Sequence, residues 1–285
     1  MRKMMLAISV VSAWFASEAG AFEYITSRGA GMGGTVILSE PSASILVSVP
    51  GGGIAAGEWQ IETGYNRKYE LADLEHLFLA AAYRWRAITS AVGLSQFGRS
   101  DLYTERTMKW SLAVQVDSLS IGASLSRMAV DIGNNYGQLR AATLGIGGSY
   151  RTRRLFLAVE ADNLTSPKLH KQAVAIRPVY SFYSELKGKG SFSITARAAF
   201  EKREKPQWAL GQRIRLSDGS AFFWGISAEP TEYGGGIELR VKAGSILYAT
   251  SVHPVLGFSH TISVSYGSRT STTKQDGDFD QTNRD

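Results

Sequence analysis

Met108-Lys109-Trp110-Ser111-Leu112-Ala113-Val114-Gln115-Val116 alternates from end to end. In an extended chain successive Cβ atoms point to opposite faces, so Met108, Trp110, Leu112, Val114 and Val116 share one side. Lys109, Ser111, Ala113 and Gln115 share the other. A helical period would scatter the two sets around an axis, so the stretch reads as a strand with one apolar and one polar face. The same reading holds along the chain. Trp59, Ile61, Thr63 and Tyr65 oppose Gln60, Glu62, Gly64 and Asn66. Phe192, Ile194, Ala196, Ala198 and Phe200 oppose Ser193, Thr195, Arg197 and Ala199. Ile237, Leu239 and Val241 oppose Glu238, Arg240 and Lys242, and Ile262, Val264 and Tyr266 oppose Thr261, Ser263 and Ser265.

A soluble β-sandwich would also alternate, so the surroundings of each segment decide between water and membrane. The segments run to about ten residues, the length a tilted strand needs to cross a bilayer. Large aromatics sit near their ends (Trp59, Tyr83, Trp85, Tyr150, Tyr180, Phe182, Trp208 and Tyr266), as an interfacial girdle requires. The opposite faces carry Gly, Ala, Ser, Thr and charges, a poor sandwich core but a reasonable barrel lumen. About fourteen segments are expected, near 57–67, 75–86, 87–97, 105–116, 118–129, 138–150, 153–162, 172–184, 191–201, 206–216, 219–228, 233–242, 244–251 and 258–267. An even number returns an up-and-down barrel to its starting side. Arg86-Ala87, Asp117-Ser118, Arg151-Thr152 and Ser217-Asp218-Gly219 read as tight periplasmic turns or compact hairpins. Pro178 falls within one segment and, lacking a donor, marks a bulge or kink there. The fold expected is therefore all-β: a transmembrane antiparallel barrel over 57–267, in the bacterial outer membrane.

The flanks read differently. Arg2 and Lys3, the apolar run from Met4 to Phe15 and the small residues Ala19-Gly20-Ala21 form a signal-peptide pattern over 1–21, with cleavage expected before Phe22. That run is too short to span a membrane as a helix, and no later stretch is long enough. Residues 268–285 form a polar tail with too little apolar surface to order itself. Cysteine is absent, which excludes thiol catalysis, thiolate metal sites and lipid attachment at the cleavage site. The net charge of +6 is scattered. Scattered charge reads first as a solvated, mixed surface, and beyond that, in an exported chain, as attraction to lipid headgroups or anionic solutes rather than nucleic acid.

Between signal and barrel, at 22–56, lies a Gly-rich segment: Arg28-Gly29-Ala30-Gly31-Met32-Gly33-Gly34, then Ser42-Ala43-Ser44 and Val49-Pro50-Gly51. The glycines imitate a dinucleotide fingerprint, but no strand precedes them and no helix pattern opens at the third. The segment instead resembles the opening of the fatty-acid-transporter-like outer-membrane barrels, and within them the PorV/PorQ group associated with type IX secretion. Ala161-Asp162-Asn163-Leu164 and His253-Pro254-Val255-Leu256-Gly257 are further echoes, while Val49-Pro50-Gly51 departs from the family's Asn-Pro-Ala. The resemblance implies a fourteen-stranded barrel whose N-terminal segment folds into the lumen as a hatch. Arg28, Gly29, Gly31, Met32, Gly33, Gly34, Pro50 and Gly51 would be its motif. The glycines would either let backbone pass close to the wall or form only a tight turn.

Inward charges are expected at Glu62, Arg84, Lys109, Glu160, Arg177, Arg197, Arg213, Arg215, Glu238 and Arg240. They would hold a plug by pairing, or else guide a solute. His76, His170, His253 and His260 show no pairing with a nucleophile and no metal spacing. Asp276, Asp278 and Asp280 imitate a calcium loop without its glycine or terminal glutamate. No catalytic residue, cofactor or metal is expected. By resemblance the chain would be a non-enzymatic attachment or shuttle factor for secretion-system proteins. The alternatives are a passive channel for hydrophobic solutes such as fatty acids, opening laterally past a hatch, and a structural barrel without transport. Outer-membrane lipid would be a partner in each case.

Overall fold

The computed structural model describes residues 26–52, 58–99, 103–133, 137–170, 175–188, 191–217 and 219–268. The signal-peptide pattern, residues 22–25 and 53–57, the calcium-loop imitation and the tail beyond Ser268 lie outside them. Fourteen strands form one closed antiparallel barrel. They are β1 (Trp59–Arg67), β2 (Glu75–Trp85), β3 (Ile88–Arg99), β4 (Tyr103–Val116), β5 (Leu119–Ile132), β6 (Gly137–Arg151), β7 (Leu155–Asp162), β8 (Val179–Lys187), β9 (Phe192–Glu201), β10 (Gln207–Ser217), β11 (Ser220–Ala228), β12 (Glu232–Val241), β13 (Gly244–His253) and β14 (Gly257–Gly267). Each strand pairs with its chain neighbour, and β1 closes on β14 from Gln60↔Gly267 to Arg67↔His260.

The exposed and buried sets are inverted relative to a water-soluble protein. Outward positions are apolar and open: Leu112 42%, Ile121 62%, Leu239 48% and Ile262 50% exposed. Inward positions such as Ser111, Ser124, Thr195 and Thr261 are buried. Apolar surface this continuous is stable only against hydrocarbon, where a closed barrel pairs backbone groups from strand to strand. Strands tilt to close the barrel. One row of paired residues runs Trp59, Tyr83, Ser90, Leu112, Ala123, Ile146, Ala161, Tyr180, Phe200, starting at one rim on β1 and reaching the other on β9.

The rims differ. β1 begins and β14 ends at the rim that carries the tight turns Arg86-Ala87, Asp117-Ser118 and Lys242-Ala243. Arg86, Asp117 and Lys242 take φ of 54°, 51° and 52° there. The opposite rim carries the longer connections, including 68–74 and 163–178. Short turns mark the periplasmic side and longer loops the extracellular side. Trp59 and Tyr266, with rings 5.6 Å apart, belong to a periplasmic girdle with Tyr83, Trp85 and Tyr150. Phe182, Phe200 and Trp208 stack edge-to-face at 6.0 and 5.9 Å in the extracellular one.

Strand bounds follow the alternation closely except at β8. It starts at Val179, directly after Pro178, and not at residue 172. Proline has no N–H for the ladder and restricts the residue before it, so the strand begins past it rather than bending around it. The wall is also uneven. β4, β5 and β6 have 14, 14 and 15 residues, whereas β7 and β8 have 8 and 9. Pairing of β6 with β7 stops at Ile146↔Ala161. Above that point β6 keeps β5 as its strand partner, from Ser124↔Gly145 to Ile132↔Gly137. On its other edge the 163–178 connection supplies contacts, Leu164 N–H donating to the Leu144 carbonyl at 2.9 Å.

Candidate functional site

Residues 26–52 lie inside the barrel and are mostly buried. The segment holds two short helices, α1 (Ser27–Gly31) and α2 (Ala43–Ser48). Thr26 caps α1, its hydroxyl accepting from Gly29 N–H at 3.1 Å. Gly33 and Gly34 then turn the chain with φ of 64° and 86°, a conformation that favours glycine. Ser42 precedes α2 without a side-chain cap. The wall provides one instead: Glu62 of β1 accepts from Ser44 N–H at 3.0 Å and from Ser27 Oγ at 2.6 Å.

Apolar contacts seat the segment on opposite sides of the lumen. Met32 and Ile37 pack with Phe223, Leu247 and Ala249. Val36, Leu38, Ile45 and Val49 pack with Ala158 and Tyr183. Ala43, Leu46 and Val47 pack with Ala80, Ala82 and Ala91. Each fully buried aliphatic chain contributes about 1.5–3 kcal/mol, so these contacts together outweigh any single polar one. Backbone also touches backbone at two wall glycines. A Cβ on Gly225 would lie 2.4 Å from the Met32 carbonyl carbon, and one on Gly147 would lie 2.5 Å from the Pro50 oxygen. A cavity of about 20 Å³ between Leu38, Ser39, Gln115, Ser120 and Phe156 has room for a water molecule and no larger solute.

Charges lock the seated segment. Arg28 of α1 meets Glu238 of β12 at 2.8 and 3.2 Å and donates to the Glu40 carbonyl at 2.9 Å. Glu40 in turn pairs with Arg240 at 2.6 Å, with Arg213 at 3.4 Å and with Arg215. Burial alone would raise the Glu40 carboxyl, but the guanidiniums of Arg213, Arg240 and Arg28 hold it well below the usual carboxylate range. Glu185 of β8, fully buried, accepts from Ser39 N–H and Ser39 Oγ, both at 2.7 Å. Lys109 of β4 donates to the Ser48 carbonyl at 3.0 Å and to Asp162 at 2.8 Å, with Glu160 at 3.4 Å. The Tyr183 hydroxyl donates to Glu160 at 3.3 Å, and Arg197 lies over the Tyr183 ring.

Of the charges expected to face inward, Glu62, Lys109, Glu160, Arg197, Arg213, Arg215, Glu238 and Arg240 thus surround the N-terminal segment. Arg84 and Arg177 stand apart. Arg84 lies at the periplasmic rim, donating to the Arg86 carbonyl at 3.1 Å and to Gln115. Arg177 precedes β8 at the other rim, 3.2 Å from Glu204 and 3.8 Å from Glu201. His253 accepts from two turn N–H groups, and His260 meets Tyr248 on the outer face. Glu40 and Glu185, two of the principal anchors, were not anticipated. Glu185 was legible, since Ser181, Tyr183 and Glu185 share the inward face of β8. Glu40 lies in a segment with no period to read.

The fold is thus a transmembrane β-barrel of the outer-membrane type whose N-terminal segment is packed inside it. No protein-family model and no curated protein sequence matches the chain. Among solved structures, the Pseudomonas putida toluene transporter TodX aligns with a TM-score of 0.66 at 10% identity, over 87% of this chain and 99% of that one. A second TodX structure gives 0.64 at 11% identity, over 88% and 99%. The Acinetobacter baumannii outer membrane protein Omp33 gives 0.50 at 8% identity, over 74% and 97%. At these identities the likeness is one of fold.

Proposed function

We propose that this chain is a non-enzymatic channel of the bacterial outer membrane for small hydrophobic molecules, with residues 26–52 as its hatch. One observation carries the reading. The anchored segment occupies the lumen, while the wall loses strand pairing between β6 and β7 above Ile146↔Ala161. A hydrophobic solute gains by leaving sideways into hydrocarbon, and a break in the ladder is where a side exit costs fewest hydrogen bonds. Leu144 and Leu164 flank that break and are 50% and 37% exposed. The fold likeness to TodX supports the same reading. The secretion-associated role implied by the motif resemblance has no comparable observation behind it, and the channel is preferred.

Thr143 and Thr165 face each other across the break, hydroxyl to hydroxyl at 3.0 Å, and the chain has no native thiol. A Thr143→Cys/Thr165→Cys pair therefore locks the connection to β6 on oxidation. Cells producing the reduced pair should take up labelled toluene faster than cells without the protein. Oxidation should cut that uptake severalfold and a reductant restore it. Uptake no faster than in cells without the protein, or indifferent to the lock, rejects the lateral channel.

A further inference from the structure

Three arginines stand on the outside of the barrel, where a membrane protein has least use for charge. Arg106 of β4, Arg127 of β5 and Arg140 of β6 are exposed and share the outward face with Trp110, Leu125 and Leu144. Register places them together. Arg106 pairs with Ala129, and Ala129 with Arg140, so these two flank β5 in one row. Arg127 lies in the next row toward the periplasm, paired with Met108 and Ala142. Neighbouring strands are about 4.8 Å apart and two residues advance about 6.6 Å, so the three side chains can converge on one group. Directly below them, Trp110, Leu125 and Leu144 form the next row, 46%, 48% and 50% exposed.

An arginine on the lipid face costs about 2–4 kcal/mol at the midplane and close to nothing at the interface. The cluster therefore sits at the level of the outer-leaflet headgroups, on the extracellular side of the apolar belt. Outward positions of β8 to β13 carry no arginine or lysine, so the basic patch is confined to one side of the wall. Among the described residues no carboxylate pairs with any of the three. Arg106 donates to Gln96 at 3.2 Å and Arg140 to Gln138 at 2.8 Å, contacts that orient the guanidiniums and leave their charge unmatched. Asp131 lies two residues beyond Ala129 and forms no ion pair with them.

We propose that this patch binds a phosphorylated lipid of the outer leaflet, Arg106, Arg127 and Arg140 taking its phosphates while Trp110, Leu125 and Leu144 take its acyl chains. Guanidinium matches phosphate geometry with paired, charge-assisted hydrogen bonds. An aliphatic and aromatic row immediately beneath suits an amphiphile rather than a free anion. The proposal rests on the outer-membrane placement of the barrel and not on its being a channel.

The test uses the full chain folded in detergent, with bis-phosphorylated lipid A as probe and native mass spectrometry as readout. The wild-type protein should retain the lipid, and removal of its phosphates should weaken retention about tenfold or more. An R106Q/R127Q/R140Q variant should show the same loss, with folding checked by heat-modifiable gel mobility. Arg153→Gln/Arg154→Gln, at the periplasmic rim, should bind as the wild type does. Equal retention of the phosphate-free lipid, equal binding by the triple variant, or displacement by millimolar inorganic phosphate overturns the proposal. Should the triple variant not fold, Arg140→Gln and the two lipids on the wild-type chain decide the matter alone. A wild-type protein that fails to fold into micelles at all would count against the membrane reading instead.

Discussion

Glu40 shows how one residue can carry much of the burden of a buried contact set. Its depressed pKa sets the sign of the acid response. A carboxyl held below its unfolded value of about 4.3 contributes stability above that pH, and loses it only as pH falls through the lowered value. With residues 26–52 as a hatch, planar-bilayer conductance should stay low from pH 7 through pH 4 and rise only in stronger acid. Glu40→Gln should raise it already at neutral pH, and a wild-type rise centred near pH 4–5 would contradict the assignment. Glu238→Ala should cost about 3–5 kcal/mol of the segment's anchoring, because it strands Arg28 in a buried site. The readout is labelling of a Thr35→Cys variant. Thr35 is fully buried, so a bulky thiol reagent should miss it in the otherwise native chain and reach it once Glu238 is lost. The sequence marks Glu238 through the alternation around it. Glu40 has no periodic neighbours, and only the fold brings Arg213, Arg215 and Arg240 to it from two separate strands.

At the scale of the strand, inside and outside were legible because the side-chain period of two needs no knowledge of neighbours. Depth in the membrane was not, since it depends on tilt and register. Leu112 and Leu239 look alike in sequence, both apolar and flanked by polar residues. Leu112 lies mid-wall in the tilted row that starts at Trp59, whereas Leu239 is two residues from the periplasmic end of β12. Leu112→Arg should therefore destabilise the barrel by about 2–4 kcal/mol and Leu239→Arg by about 0–1 kcal/mol. Urea titration of folding into liposomes would check this, and equal costs would show the depths misassigned. Ser111 differs from what its polar face suggests. Its hydroxyl donates to the Val47 carbonyl at 2.8 Å, so Ser111→Arg displaces α2 rather than finding an open lumen. The β8 boundary departs from the alternation for a local reason: the pattern continues through Pro178, and proline's missing donor makes the strand begin just after it.

Across the whole molecule, strand number and closure followed from counting segments, but the pairing gap beside β6 did not, because β7 reads as an ordinary strand. Deleting residues 26–50 should leave the barrel assembled, since all fourteen strand pairings lie outside them, and should raise conductance severalfold in planar bilayers. Loss of assembly, or unchanged conductance, would rule out the hatch. Several anchors of that segment are also distant along the chain. Arg28 and Glu238 are 210 residues apart, and Glu160, Glu185, Arg213 and Arg240 all lie on β7 or later. Contacts of such separation form only after long loops have closed. The early strands offer the segment Glu62, Ala80, Ala82, Ala91 and Lys109, but the ion pairs of Arg28 and Glu40 wait for the final strands. A chain stopped before β12 should therefore leave Arg28 without its carboxylate and be cleaved near residue 28 by added protease more readily than the finished barrel, in which Arg28 is buried.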